Sequence, residues 1–103
     1  IGNLKPKNFK HIVFNNFAHD SVGGQPTSAH NIDIVQIAKA NGYANAFSVE
    51  TKDQIIECTK RMKEMEGPVM LEIKVNKGAR KDLGRPTTTP IENKEAFMKF
   101  LHD

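Results

Sequence analysis

Residues 11–27 read HIVFNNFAHDSVGGQPT. The stretch begins with apolar residues from Ile12 to Phe14 and passes directly into the paired amides Asn15 and Asn16. Consecutive apolar residues are typical of a strand that is covered on both faces. A buried strand that ends in polar side chains, followed by a glycine-containing loop, is how open α/β sheets build ligand sites. We therefore predict a strand over 12–14 and a ligand site at its carboxyl end.

The rest of the chain alternates between helical and strand patterns. Thr51 and Gln54 form the pair of a capping box, and Thr89 precedes Pro90, a residue favoured at the first position of a helix. Asn31 is the predicted cap of an earlier helix. These signals predict helices over 32–41, from Thr51 to the residue before Gly67 and from Thr89 to about Leu101, and strands over 46–49 and 69–75.

The order of these elements predicts the fold class. Strands that alternate with helices form parallel sheets with right-handed crossovers, so we expect an α/β fold with three layers, α/β/α, and a parallel sheet. Within 69–75 every second residue is apolar whereas Glu72 and Lys74 are charged, which is typical of a strand at a partly exposed sheet edge. The predicted buried side of the last helix consists of Ala96, Phe97, Phe100 and Leu101. Because three strands make a small sheet, we expect an upstream segment or a partner chain to complete it.

Composition limits the class of protein. The chain has 103 residues, of which 38% are hydrophobic and 26% are charged, with a formal net charge of +3. These values are typical of one globular domain, and no apolar run approaches the roughly 20 residues that cross a bilayer. Cys58 is the single cysteine, which excludes an internal disulfide and fits a reducing compartment. We expect a cytoplasmic protein with no membrane partner.

The two asparagines that follow the first strand are candidates for a metal site. An amide oxygen is a hard, neutral ligand, and magnesium otherwise takes carboxylate, water and phosphate oxygens. Asn15 and Asn16 are therefore compatible with a metal–diphosphate site, whereas their spacing alone favours a simple turn.

The loop after the asparagines offers two further candidate features. Gly23 and Gly24 would allow backbone N–H groups to approach an anion or a flat cofactor, or would only permit a tight turn. His19 and Asp20 are candidates for a proton-transfer pair, because histidine titrates near neutrality. A zinc site is not expected, since neither His19 nor His30 has a second ligand at zinc spacing.

A second candidate site is the basic loop, residues 77–85. Its cations are Lys77, Arg80, Lys81 and Arg85, and Asp82 is its only acidic residue. Guanidinium groups bind phosphate and phosphonate in a bidentate manner, which makes this loop a candidate anion site; a plain surface or interface role is the alternative. Binding of single-stranded nucleic acid would favour aromatic residues beside the cations, and the loop has none. We therefore expect no nucleic-acid partner, although a small basic binding module remains an alternative.

Three of these stretches resemble a known enzyme family. NNFAHDSVGGQPT (15–27), IDIVQIAKANGY (32–43) and KGARKDLGRPTTTP (77–90) are similar to the C-terminal part of the phosphonopyruvate decarboxylases, which are thiamine-diphosphate-dependent enzymes of phosphonate biosynthesis. The resemblance covers essentially the whole chain, and the arginine–threonine–proline loop is its most specific part. It implies that residues 1–103 are the C-terminal portion of a thiamine-diphosphate-binding domain. We expect them to be the tail of a longer polypeptide and inactive on their own.

The resemblance also implies roles for individual residues. In that superfamily a Gly-Asp-Gly motif precedes Asn-Asn, and the second asparagine and a main-chain oxygen two residues later bind the Mg²⁺ that holds the diphosphate. It implies that Asn16 and Ala18 are the metal ligands, that Asn15 supports the turn, and that the loop 17–27, which contains Gly23 and Gly24, covers the cofactor or substrate. The Gly-Asp-Gly half is absent from these 103 residues.

The implied reaction is decarboxylation of 3-phosphonopyruvate to phosphonoacetaldehyde and CO₂, with thiamine diphosphate as the electron acceptor. Its substrate is a small 2-keto acid. The residues expected to contact the phosphonate are Arg80 and Arg85, with Lys77 and Lys81. The resemblance identifies no catalytic acid or base among these residues, and we expect the general base to lie upstream; His19 and Asp20 are candidates from the loop itself. We expect a homo-oligomer, because sites of this superfamily normally lie between subunits.

Other reactions fit the same residues. Sulfopyruvate decarboxylase is the nearest alternative, since its substrate carries a sulfonate monoanion in place of the phosphonate, and another thiamine-diphosphate-dependent 2-keto acid decarboxylase is also compatible. Acetolactate synthase fits less well, because the arginine–threonine loop has no obvious place in it.

Overall fold

The computed structural model describes residues 1–102. Three strands, β1 (Lys10–Asn15), β4 (Asn45–Val49) and β5 (Val69–Lys74), form a parallel sheet in the order β1-β5-β4. Two short strands, β2 (Ala18–His19) and β3 (Gln25–Pro26), pair antiparallel in the loop after β1. The helices are α1 (Ile34–Ala40), α2 (Lys52–Glu64) and α3 (Pro90–His102). The α/β class with a parallel sheet is confirmed.

The sheet is covered by one helix on each face. On one face, α2 places Met62, Ile55 and Cys58 against Leu71 and Val49 of the sheet. Positions 55, 58 and 62 recur at helical spacing, so these three residues lie on one face of α2. On the opposite face, the α1 residue Ala38 packs with residues of the three strands, which are Val13, Ala46 and Met70. The predicted three-layer arrangement is therefore present.

The predicted position of the last strand is wrong. β5 lies at the centre of the sheet, with β1 on one side and β4 on the other. Both of its faces are buried: Leu71 faces α2, and Glu72 is only 5% exposed on the α1 side. A carboxylate within a buried strand is tolerated when it has a hydrogen-bonding partner. The alternation of apolar and charged residues therefore did not mean exposure here.

The first strand also differs from its prediction. β1 is at the edge of the sheet, and Phe14 is 71% exposed while Ile12 is also exposed. These two residues do not have the cover on both faces that their apolar run predicts, because α2 packs on β4 and β5. Val13, on the α1 side, packs into the core as expected.

The helix starts follow the predicted chemistry, with one shift. Thr51 and Gln54 form the complete capping box of α2. The start of α1 is later than predicted: Asp33, not Asn31, is its cap, and the Asp33 Oδ1 accepts the N–H of Gln36 at 2.9 Å. Asn31 instead ends a short 3₁₀ turn, Ser28–Asn31.

Helix α3 is present as predicted, but its predicted buried side is exposed. Thr89 Oγ1 accepts the N–H of Glu92 at 3.2 Å, and the Glu92 carboxylate accepts the N–H of Thr89 at 2.7 Å. No residue of α3 is buried, and Phe100 is 78% exposed. The apolar residues expected on the buried side of α3 are Ala96, Phe97, Phe100 and Leu101, and all four are exposed. An amphipathic pattern shows which face a partner would cover, and no described element supplies that partner. None of the helices in residues 1–102 has the length and apolar character to cross a membrane.

Candidate functional site

The paired asparagines lie at the carboxyl edge of the sheet. Asn15 is the last residue of β1 and pairs with Lys74, the last residue of β5. Asn16 follows immediately and is half-buried. Ligands of open parallel sheets bind at this edge, so the fold places both amides where the sequence predicts a site. We refer to residues 15–18 as the asparagine turn.

Two successive side-chain hydrogen bonds shape the asparagine turn. Asn15 Oδ1 accepts the N–H of Phe17 at 3.0 Å, and Asn16 Oδ1 accepts the N–H of Ala18 at 3.1 Å. Asparagine side chains commonly stabilise turns by bonding the backbone two residues on. Phe17 has a left-handed backbone with φ +56°, which is uncommon for a residue with a side chain. Its ring stacks on the ring of His30 with centroids 4.3 Å apart.

Each asparagine also donates its amide N–H to a carboxylate. Asn15 Nδ2 donates to Glu72 Oε1 at 2.8 Å, and both side chains are buried. Asn16 Nδ2 donates to Asp20 Oδ2, also at 2.8 Å, in an exposed position. Because the N–H₂ end of an amide is a donor only, these carboxylates determine which end of each asparagine is the oxygen. The Asn16 oxygen has two lone pairs, of which the Ala18 N–H uses one.

The residues present fit part of a metal site. Asn16 Oδ1 keeps an acceptor position. Ala18 and Pro26 form a pair in which the flanking residues bond, the N–H of Thr27 to the carbonyl of Phe17, so the Ala18 carbonyl is not used by β3. Both atoms are hard oxygen ligands of the kind that Mg²⁺ accepts. Residues 1–102 contain no cluster of three or more histidine, cysteine or acidic side chains that could hold a metal by itself. The described chain therefore supplies a partial ligand set that phosphate oxygens, water and other groups would complete.

Gly24 allows Lys77 to approach the loop after the asparagine turn. Gly24 has φ +67°, and a Cβ added there would lie 2.3 Å from Lys77 Cε and 2.7 Å from Lys77 Nζ. A Cβ on Gly23, by contrast, would contact nothing within 4 Å. The sequence predicts that both glycines approach a cofactor; in this structure Gly24 approaches the side chain of Lys77.

The basic loop begins next to the asparagine turn. The N–H of Gly78 donates to Asp20 Oδ2 at 3.0 Å, and this is the oxygen that also accepts from Asn16. Further along the loop, Arg80 forms an ion pair with Asp82 at 3.5 Å, with both side chains well exposed. Lys81 and Arg85 are exposed. The structure therefore brings Lys77 to the site, while no hydrogen bond or ion pair within residues 1–102 joins Arg80, Lys81 or Arg85 to the asparagine turn.

The predicted proton-transfer pair is not a hydrogen-bonded pair in this structure. His19 is exposed, and the carboxylate of Asp20 accepts from Asn16 and Gly78. His30, the other histidine of this loop, stacks on Phe17 instead.

Sequence reasoning missed Glu72, because the alternation within 69–75 predicts a partly exposed face for it. One signal could have found it. Met70 points to the same side of the strand as Glu72, and an apolar residue on that side indicates that the side is covered.

Glu72 also lines an open cleft of about 490 Å³, and a second cleft of about 740 Å³ shares Phe17 and Lys74 with the first. Asn16 lines neither cleft.

Comparison with known proteins identifies the family of the chain. Residues 4–73 match the family model described as thiamine pyrophosphate enzyme, C-terminal TPP binding domain. The chain is 31% identical to a phosphonopyruvate decarboxylase of Streptomyces viridochromogenes over an alignment of 101 residues. The alignment covers 98% of this chain and 25% of that protein. It is 30% identical to a phosphonopyruvate decarboxylase of Streptomyces hygroscopicus over an alignment of 95 residues. That alignment covers 92% of this chain and 24% of that protein.

The chain thus spans about a quarter of the length of the curated relatives that it matches. The family match contains β1, the asparagine turn, β4 and all of β5 except Lys74, and so includes the sheet and the edge where Asn16 lies. The basic loop and α3 are outside the family match. The alignment with the first relative leaves out only two of the 103 residues and so includes most of both. The chain belongs to the thiamine pyrophosphate enzymes, through their C-terminal TPP binding domain.

Proposed function

We propose that this chain anchors thiamine diphosphate and Mg²⁺ in a decarboxylase that converts 3-phosphonopyruvate to phosphonoacetaldehyde and CO₂. The observation that carries the proposal is the orientation of Asn16: its amide nitrogen is held by Asp20, so its oxygen is presented at the carboxyl edge of a parallel sheet. The two relatives described above carry the name of this activity, which supports the choice of substrate.

The chain's own residues would contribute binding and orientation. When bound, thiamine diphosphate supplies an electron sink for the carbon–carbon bond that breaks as CO₂ leaves. Asn16 Oδ1 and the Ala18 carbonyl would hold the Mg²⁺, and the two hydrogen bonds within the turn keep both groups in place. Asn15, fixed from behind by Glu72, supports that geometry. The reaction also needs one proton at the carbon that loses CO₂, and His19 is an exposed histidine in the same loop.

Replacement of Asn16 tests the metal assignment. Asn16→Leu removes the oxygen ligand and should weaken Mg²⁺-dependent retention of thiamine diphosphate by at least about tenfold, since even the outer partners of metal ligands cost 10–100-fold. The measurement is cofactor binding by calorimetry in the protein at its natural length. Asn8→Leu, at an exposed position outside the site, is the matched control and should bind normally. Full cofactor retention in Asn16→Leu would remove Asn16 from the ligand set.

The cations of the basic loop are proposed to bind the phosphonate. Lys77, Arg80, Lys81 and Arg85 are all exposed, and the loop starts beside the asparagine turn through the Gly78–Asp20 bond. A doubly charged phosphonate suits bidentate guanidinium groups. A role in substrate binding requires that these side chains reach the keto acid when it is bound.

Arg85→Ala tests this role. The variant should raise KM for phosphonopyruvate about tenfold or more, because a charge-assisted hydrogen bond contributes about 1.5–3 kcal/mol, and it should leave cofactor affinity nearly unchanged. Lys60→Ala removes an exposed cation from α2 and should leave KM unchanged. An unaltered KM in Arg85→Ala would exclude Arg85 from substrate recognition.

A competition assay separates the two substrates that remain open. Phosphonopyruvate and sulfopyruvate differ in the charge of their terminal group, and the basic loop has a formal charge of +3 from four cations and one aspartate. This excess favours the dianion. Preferential turnover of sulfopyruvate in a mixture of the two keto acids would replace the phosphonate assignment and keep the cofactor role of Asn16.

The proposal includes association of copies of the protein. Helix α3 exposes Phe97, Phe100 and Leu101, which are large apolar residues that proteins ordinarily cover. Sedimentation velocity on the protein at its natural length should show a homo-oligomer, and a monomer at micromolar concentration would contradict this part of the proposal.

A further inference from the structure

The position of Asp20 suggests a role that is distinct from proton transfer. One oxygen of its carboxylate, Oδ2, accepts the amide N–H of Asn16 at 2.8 Å and the backbone N–H of Gly78 at 3.0 Å. Asn16 and Asp20 are four residues apart, whereas Asp20 and Gly78 are separated by 58 residues. The carboxylate therefore joins the asparagine turn to the start of the basic loop.

Gly78 is the last residue of the described chain with a hydrogen bond to the domain outside the C-terminal segment. Among the described residues, the hydrogen bonds and ion pairs of residues 79–102 all lie within that segment. The last backbone bond before it joins the N–H of Val75 to the carbonyl of Asn15. Gly78 has φ +103°, a conformation that is nearly restricted to glycine, so the direction of its N–H depends on the glycine itself.

Lys77 also lies near Asp20, on the side of Gly24. A Cβ built on Gly24 would lie 2.7 Å from Lys77 Nζ and 3.7 Å from Asp20 Oδ1, so the cation and the carboxylate approach the same small volume. The negative charge of Asp20 favours the cation at the start of the loop, and its oxygen fixes the following backbone. A metal cation bound to Asn16 Oδ1 would polarise the amide group. This would strengthen the hydrogen bond that Asn16 Nδ2 donates to Asp20 Oδ2, the acceptor shared with Gly78.

We propose that Asp20 is a positioning residue that couples the metal ligand Asn16 to the basic loop, so that binding of Mg²⁺ with thiamine diphosphate orders the start of the loop. The proposal rests on the function proposed above, because it requires Asn16 to bind the metal. The coupling acts through one shared acceptor, Asp20 Oδ2. When the metal fixes the amide of Asn16, that amide fixes the Asp20 carboxylate by a hydrogen bond, and the carboxylate in turn fixes the N–H of Gly78.

Hydrogen exchange in the protein at its natural length tests this coupling. Mg²⁺ and thiamine diphosphate are the probes, and exchange is followed in peptides that cover residues 15–18 and 77–80. In the wild type, both segments should exchange more slowly when the probes are added. In Asp20→Ala without the probes, the Gly78 amide should exchange about tenfold faster, the factor expected for one hydrogen bond to a charged acceptor. With the probes, residues 15–18 should still gain protection while residues 77–80 no longer do.

Two further variants separate positioning from a general structural effect. Asp20→Asn keeps a side-chain oxygen that can accept both N–H groups, so it should restore part of the protection at Gly78. Asp82→Ala removes the carboxylate of the basic loop that pairs only with Arg80 among residues 1–102, and exchange at Gly78 should stay as in the wild type. Asp20 and Asp82 are both exposed, so neither substitution opens a cavity in the core.

The outcomes distinguish this inference from the proposed function. If the probes do not protect residues 15–18 in the wild type, the cofactor role of Asn16 fails, and the Gly78 exchange rate still tests the bond to Asp20. If residues 15–18 are protected but residues 77–80 are not, or if Asp20→Ala leaves the protection of 77–80 unchanged, Asp20 does not couple the two sites. Unaltered exchange of Gly78 in Asp20→Ala without the probes would exclude the bond itself.

Discussion

The buried hydrogen bond between Asn15 and Glu72 makes a quantitative prediction about stability. The two side chains are 7% and 5% exposed, and Asn15 Nδ2 lies 2.8 Å from Glu72 Oε1. Glu72→Ala would leave the amide donor buried without a partner, which costs about 1–3 kcal/mol. Asn15→Ala would remove this bond and the bond to the N–H of Phe17, and would leave a buried carboxylate without its donor, so we expect a cost of about 3 kcal/mol.

A double-mutant cycle isolates the contact itself. Because the second substitution removes a group that has already lost its partner, the double variant should lose less stability than the sum of the single variants, by about 1.5–3 kcal/mol for a bond to a charged acceptor. Glu72→Gln keeps an oxygen acceptor and should cost less than Glu72→Ala. The assay is urea unfolding of the 103-residue chain followed by circular dichroism, in which a loss of 2 kcal/mol lowers the midpoint by roughly 1 M.

The control for this cycle is an acidic residue at the surface. Glu50 pairs with Lys74 at 3.4 Å, and its side chain is 65% exposed. Exposed ion pairs contribute about 0–1 kcal/mol, so Glu50→Ala should have a small effect. Costs of Asn15→Ala and Glu72→Ala that add to within about 0.5 kcal/mol would show that the two side chains do not stabilise each other, and would refute the assignment of Glu72 as the support of the asparagine turn.

Two further predictions concern the cap of α3 and the loop glycines. The backbone N–H and hydroxyl of Thr89 lower the pKa of Glu92, so this cap contributes its full stability above about pH 4.3, the ordinary glutamate value, and loses it as the pH falls through the lower folded-state pKa. NMR should therefore show a titration of the Thr89 amide below that pH, which Glu92→Gln abolishes; persistence of the titration in Glu92→Gln would assign it to another group. Gly24→Ala should cost about 1–2 kcal/mol for a left-handed backbone and also displace Lys77, whereas Gly23→Ala carries the backbone cost alone. Equal urea midpoints and equal Lys77 chemical shifts in the two alanine variants would contradict the contact at Gly24.

Helix ends were predictable because their chemistry is local. The capping box of α2 joins Thr51 to Gln54, three residues away, and the cap of α3 joins Thr89 to Glu92 over the same interval. The start of α1 was placed two residues early because Asn31 and Asp33 are both good caps. The structure uses Asn31 in a preceding 3₁₀ turn and Asp33 at the helix.

The candidate site was predictable only in part. The end of an apolar run at Asn15 and Asn16 indicates an amide at a strand terminus, and the structure places it there. The partners of those amides follow from the fold. Glu72 is 57 residues from Asn15, and it reaches Asn15 because β5 pairs with β1. The Gly78 N–H reaches Asp20 because β5 delivers the basic loop to the same edge.

The sequence by itself determined the class of fold, the caps of α2 and α3, the resemblance to a cofactor-binding family and the amide at the end of β1, since each depends on neighbouring residues or on a motif. Only the tertiary structure decided that β5 is central, that Glu72 is buried and that Phe14 and the apolar face of α3 are exposed. Burial of a residue depends on the order of the strands in the sheet and on whether a helix or another element packs on the face where the residue lies. Both depend on contacts between distant parts of the chain. An alternating or amphipathic pattern indicates only which face is apolar, and not whether another element covers it.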